Sequence, residues 1–193
     1  MKVSIHESKV ELKPENDTAL ITGDGRTFPE DMRKFLEMNI PHDTYCIGRS
    51  INQYPNRVMG WVNVDSTESK HWAEHLPLKN NGKIPIRHTM GSHEGFDVDW
   101  DILDEPLWNR KDDIRWRGSS ALFAVLICLS LGYKKIYLAG CPMDKKGHWY
   151  WPETYEGPEW LDEDYQAWDE FAKQDEAKKV VSLSGYTKEV LSA

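Results

Sequence analysis

The chain has 193 residues and a mass of 22.4 kDa, enough to bury a real core, and the expectation is a single domain over residues 1–193. Its 24 basic residues against 32 acidic ones leave a net charge of −8, a poor match to duplex nucleic acid, which calls for a basic stripe. An aromatic content of 11% argues against disorder. A mean hydropathy of −0.67, with residues 121–129 as the longest apolar block, predicts no membrane span.

Along the chain, residues 2–14 alternate weakly and suggest a hairpin or an arm. Residues 18–22 (TALIT) read as a short buried strand running into Gly23-Asp24-Gly25-Arg26. Thr27 with Glu30 three residues on predicts a capping box, Pro29 suits a first turn, and a helix follows over 29–38. Residues 44–48 (TYCIG) and 58–64 (VMGWVNV) predict the second and third strands. Ser66 or Thr67 caps a helix that Pro77 closes, and residues 84–88 make a weaker fourth strand. The acid- and Trp-rich stretch 91–117 reads as a long irregular excursion with short strand pieces.

Residues 119–131, apolar nearly all round, predict a buried helix ended by Gly132. Residues 135–139 (KIYLA) are a buried strand, 148–158 an aromatic loop, 159–178 a polar helix, 179–183 the last strand and 187–191 a short helix. This alternation predicts a three-layer α/β domain of Rossmann-like type, a mainly parallel sheet with helices on both faces. Ligands of such sheets bind beyond the carboxyl ends of the strands, near a switch in strand order. The three cysteines, Cys46, Cys128 and Cys141, are too far apart in sequence for a CxxC site. The N-terminal decapeptide has no apolar stretch of the secretory kind, so the expected location is cytoplasmic.

The residues just after each strand are therefore the candidates. Gly23 and Gly25 let backbone approach a phosphate at a helix N-terminus, while Phe28 breaks the GxGxxG pattern; a tight turn that merely links strand to helix is the alternative. After the second strand come Arg49 and Asn52. A dinucleotide enzyme places an acid there for the ribose, so no NAD is expected, and Arg49 suits a phosphate or simply a solvated surface. Asn63, inside an apolar run, needs partners from a ligand or a neighbouring loop, and Asp65 follows it. Ser119 and Ser120 open the buried helix, where one should cap it and the turn could also hold an anion. The loop from Gly140 through Asp144 and His148 to Tyr150 mixes acid, base, imidazole and phenol, and is the strongest candidate for chemistry.

Two segments carry a family likeness: ALITGDGRTFPEDMRKFL through CIGRSIN and WVNVD, and GSSALFAVLICLSLGYKKIYLAGCPMDKKGHWYW. Together they resemble the Rossmann-like fold of bacterial sialyltransferases of the Campylobacter type and of the 6-hydroxymethylpterin pyrophosphokinase-like (MptE-like) proteins. The resemblance implies a nucleotide or nucleotide-sugar across the strand ends. Gly23, Asp24 and Gly25 would lie near its phosphates or ribose, Asn52 and Asn63 near ribose or base, and Ser119, Ser120 and Gly140 along the base or sugar pocket. Tyr150 falls where those sialyltransferases hold the leaving phosphate. Asp144 stands where a second such tyrosine belongs, and Pro158 stands near the place of their catalytic His, leaving His148 as the substitute. The pyrophosphokinase-like branch uses ATP and a divalent metal, for which Asp65 and Asp144 could serve Mg²⁺.

The expectation is a transferase with Arg26 and Arg49 helping to hold the anionic leaving group and His148 or Asp144 as general acid or base. The alternative is a nucleotide-binding module of the same fold without catalysis. A zinc hydrolase built on His71, Glu74 and His75 (H-x-x-E-H) ranks lower, since no third ligand can be identified. Gly91-Ser92-His93-Glu94-Gly95 has His where a nucleophile elbow needs Ser and is set aside. The nine tryptophans leave room for a homo-oligomer contact.

Overall fold

In the computed structural model, residues 1–64, 84–90, 95–102, 119–149 and 161–193 are described. They form an eight-stranded sheet: β1 (Val3–Ser8), β2 (Thr18–Thr22), β3 (Asp43–Ile47), β4 (Gly60–Val62), β5 (Ile86–Met90), β6 (Val98–Ile102), β7 (Lys135–Ala139) and β8 (Val180–Ser182). The helices are α1 (Phe28–Glu37), α2 (Ser50–Gln53), α3 (Ser120–Ser130), α4 (Leu161–Ala172) and α5 (Gly185–Leu191), with a 3₁₀ turn at Asp175–Lys179. The order across the sheet is β1-β6-β5-β4-β3-β2-β7-β8. Every neighbouring pair is parallel except β1 with β6. The chain thus steps outward from β2 to β6, then returns to the other side of β2 for β7 and β8. The switch in strand order falls between β2 and β7, where α/β folds open a crevice.

The sequence explains the layers. TALIT is buried at every position because its two faces serve two cores. Ala19 and Ile21 join Tyr45, Val62, Val98, Trp100, Ile136 and Leu138 beneath α3, Trp168 and Phe171. Leu20 joins Cys46, Trp61, Ile51 and the buried stripe Phe28, Met32 and Phe35 of α1. Residues 121–128 of α3 are all buried, as an all-round apolar helix must be. The expected three-layer α/β arrangement is present. Among the described residues no helix is long and apolar enough to cross a membrane.

Several local expectations need correction. Residues 3–8 are an edge strand antiparallel to β6, not a hairpin. The acid-rich stretch, expected to carry short strand pieces, does contain that strand: in VDWDI, Val98 and Trp100 turn inward at 1% and 0% exposure, while Asp101 is exposed. β5 begins two residues late because Pro85 has no N–H for the ladder. Thr27 makes no backbone cap; its hydroxyl donates to Asp31 Oδ2 at 2.9 Å. The long polar helix ends at Ala172, and extended Gln174 separates it from the 3₁₀ turn. The helix expected after Ser66 and its H-x-x-E-H motif, His93, and Asp65, Tyr150 and Pro158 lie outside the described residues.

Candidate functional site at the strand switch

The loops after β2 and β7 are locked together. The Gly23 N–H donates to Ala139 O and the Gly25 N–H to Gly140 O, both at 2.8 Å. The Trp149 N–H donates to Asp24 O at 3.1 Å, and Gly25 bridges to His148 as a short antiparallel pair. A Cβ on Gly23 would lie 2.5 Å from Gly140 O, and one on Gly25 2.5 Å from Pro142 Cδ. Gly140 adopts φ +68, and its added Cβ would meet Gly23 O at 2.5 Å. These three glycines are buried and fit loop against loop, which is reason enough for their presence. The Gly23 and Gly25 amides, expected to face a phosphate, are engaged by the carbonyls of Ala139 at the end of β7 and of Gly140 just after it.

The loop contact leaves side chains at the mouth. His148 Nδ1 pairs with Asp24 Oδ1, the imidazole being about one-third exposed and the carboxylate mostly covered. Carboxylate–imidazole pairs of this kind, in which the carboxylate orients the ring, recur in catalysis. Arg26 Nε donates to Lys146 O at 3.0 Å and so braces the turn before His148. Asp144 Oδ1 accepts from the Lys146 N–H at 3.0 Å and shapes the same turn. The carboxylate touching His148 is therefore Asp24, and Asp144 supports the turn four residues before it.

Beneath this pair lies Asp31, 1% exposed, which sequence reading did not single out. Its Oδ2 accepts from Gly140 N–H at 3.0 Å, Thr27 Oγ1 at 2.9 Å and Ser184 Oγ at 2.5 Å. One carboxylate thus joins α1, the β7 loop and the turn after β8. The signal was present: residue 31 falls on the buried 28, 32, 35 stripe, where a carboxylate needs partners. Ser50 does similar work one strand over. Its hydroxyl donates to Thr22 O at 2.7 Å and accepts from Ile47 N–H at 2.9 Å, tying β2 to the β3–α2 turn. Burial pushes the Cys141 thiol up, with Asp24 and Asp31 adding to it, which favours the neutral thiol over the thiolate.

The other candidates are spread along the same carboxyl edge. Arg49 occupies the N-cap position of α2 and is partly exposed; Asn52, on α2, is exposed. Asn63 follows β4, 6% exposed, its N–H donating to His88 O at 3.1 Å. Two strand spacings separate it from β2, about 10 Å. Ser119 is the N-cap of α3: its Oγ accepts from Leu122 N–H at 3.2 Å and from Trp168 Nε1 at 3.1 Å, while Ser120 is half-buried in the first turn. The structure therefore brings residues 23–26 and 140–149 into contact, with 49, 52, 63 and 119–120 placed by strand and helix ends around them. Among the described residues no group of three His, Cys, Asp or Glu side chains is disposed to hold a metal ion. Comparison with family models, curated proteins and solved structures finds no match.

Proposed function

We propose that the chain is a nucleotide-binding transferase that moves a glycosyl group from a nucleotide-activated sugar, or a pyrophosphoryl group from ATP, to a hydroxyl acceptor. The observation that carries the reading is the Asp24–His148 pair at the switch between β2 and β7. In this reading Asp24 orients the imidazole, and His148 Nε2 removes the acceptor proton as the acceptor oxygen forms its new bond. The bond to the leaving phosphate oxygen breaks with its electron pair, and the nucleotide departs as an anion. Arg49 and Asn52 are suited to the phosphate and ribose, Asn63 and Ser120 to the base or sugar. Mg²⁺ would bind through one or two carboxylates, Asp144 and Asp65 being the candidates, together with the donor's phosphate oxygens.

The likeness of the GSSALFAVLICLSLGYKKIYLAG segment to the sialyltransferase-like and MptE-like proteins supports the same reading. A second reading, a binding module without catalysis, is favoured by Asp144 and Pro158 standing where catalytic groups of that family belong. Turnover of a CMP-sugar and of ATP separates the two. The expected result is activity on one donor, reduced by about 10²–10⁴-fold in His148→Ala and in Asp24→Asn, with donor affinity changed by only a few-fold. Undiminished turnover in His148→Ala overturns the catalytic role. Binding of a nucleotide with no turnover of either donor selects the module.

A further inference from the structure

Gly140 is the residue through which the two loops of the crevice are joined. Its φ of +68 swings the chain off the end of β7, and both of its backbone groups are engaged. Its carbonyl accepts from the Gly25 N–H at 2.8 Å, and its N–H donates to Asp31 Oδ2 at 3.0 Å. Gly25 in turn bridges to His148. Asp24, one residue earlier, pairs with the His148 ring and takes the Trp149 N–H on its carbonyl. A continuous run of hydrogen bonds and chain therefore leads from a carboxylate on α1 to the imidazole. The next carbonyl, Cys141 O, accepts from Thr187 Oγ1 of α5 at 2.8 Å, so two helices fix this segment. After burial, Asp24 and Asp31 are the groups that push the Cys141 thiol up, which puts both carboxylates beside it.

Packing alone gives no reason for an acid at position 31. The residue is 1% exposed and shares the buried stripe of Phe28, Met32 and Phe35, where an apolar side chain would avoid the desolvation cost. Its Oδ1 is buried with no hydrogen-bond partner among the described residues. The bonding falls on Oδ2, which meets Gly140 N–H, Thr27 Oγ1 and Ser184 Oγ. Two of those donors are hydroxyls, which can rotate; Ser184 Oγ also lies 2.8 Å from Thr27 Oγ1. The Gly140 N–H is fixed by the backbone and cannot turn elsewhere. The acceptor at position 31 is therefore needed most by that amide.

We propose that Asp31 is a positioning residue for the Asp24–His148 pair: it fixes the Gly140 peptide and, through the bridge from Gly25 to His148, holds the imidazole against Asp24. The inference rests on the transferase reading for what the pair does. The placement of the ring is a separate property and is measured without any donor.

Proton–nitrogen spectra of the full chain test the placement. The His148 Nδ1–H held by Asp24 should give a visible ring resonance, because its exchange with water is slowed. Asp31→Leu, close in size but without an acceptor, should lose that resonance. Asp31→Asn, which keeps one acceptor for the Gly140 N–H, should restore it. A resonance that survives in folded Asp31→Leu, or that is lost equally in both variants, overturns the proposal. Amide exchange in the wild type adds a test that needs no variant. The Gly140, Gly25 and Trp149 amides should open together, with protection factors agreeing within about threefold. A Trp149 amide more than about tenfold less protected than Gly140 would mean that the His148 arm moves independently of Asp31, and overturns it too. On a CMP-sugar or ATP, Asp31→Leu should lower kcat about 10²-fold with KM changed less than about twofold, and Asp31→Asn should recover most of the rate. No turnover by the wild type, with the ring resonance behaving as expected, removes the transferase reading and leaves the positioning role standing.

Discussion

His88 shows how one buried residue couples stability to pH. It is 1% exposed, its Nδ1 accepts from Trp100 Nε1 at 3.2 Å, and its ring lies 5.8 Å from that of Tyr45. Burial pushes the imidazole down to about 3, against the pull of the Asp97 carboxylate. In the unfolded chain the same ring titrates near 6.5. The native state therefore binds fewer protons below pH 6.5, and stability is lost as pH falls from 6.5 toward 3. Urea titrations should show His88→Gln, which keeps an acceptor for Trp100, losing about 2–3 kcal/mol less than the wild type between pH 6.5 and 4.5. Parallel loss in both proteins would mean that His88 is not the group responsible. Asp31 carries a related lesson at this scale. It is a carboxyl on an apolar helix stripe, a signal readable from spacing alone, yet its partners Gly140 and Ser184 come from loops far away in sequence.

Elements meet at the strand switch through glycine, and that is where substitution should be felt most. Gly23 has no positive φ, so Gly23→Ala is a purely steric test: the new methyl would sit 2.5 Å from Gly140 O and 2.7 Å from Cys141 Sγ. Chemical denaturation should show a loss of about 1–3 kcal/mol, the usual cost of overpacking. A neutral result would mean that the two loops are not held together as described. Much of the element order was legible from hydrophobic period and punctuation. KIYLA reads as β7 to the residue, because the apolar run Ile136–Ala139 is too short for a helix and lies between Gly132 and Gly140. β6 is one of the short strand pieces expected in the acid-rich stretch, but its bounds were not legible, because the acids alternating with Val98 and Trp100 lower the apolar signal. β1 was legible only as weak alternation in a hairpin or an arm, because an edge strand needs only one buried face, and its pairing with β6 is set by the sheet rather than by its own residues. In the site, the loops carrying Gly23–Arg26 and Gly140–His148 were found from their place after strands. The choice of Asp24 over Asp144 as the partner of His148 was not, since it depends on the bridge between the loops.

For the whole molecule, strand order does the positioning. Because the chain reverses between β2 and β7, the ends of two strands distant in sequence lie side by side, and the acid of one loop meets the imidazole of the other. Around them α2, the end of β4 and the start of α3 set Arg49, Asn63 and Ser119–Ser120 along one rim. The proposed transferase function requires that rim to receive a nucleotide at His148. Nitrogen-detected imidazole spectra of the seven histidines, assigned with His148→Gln, test this during titration with CMP, CDP and ATP, with and without Mg²⁺. At least one nucleotide should move the His148 ring resonances in a saturable way while those of exposed His6 stay in place. Unmoved His148 resonances at millimolar concentrations of all three would contradict it.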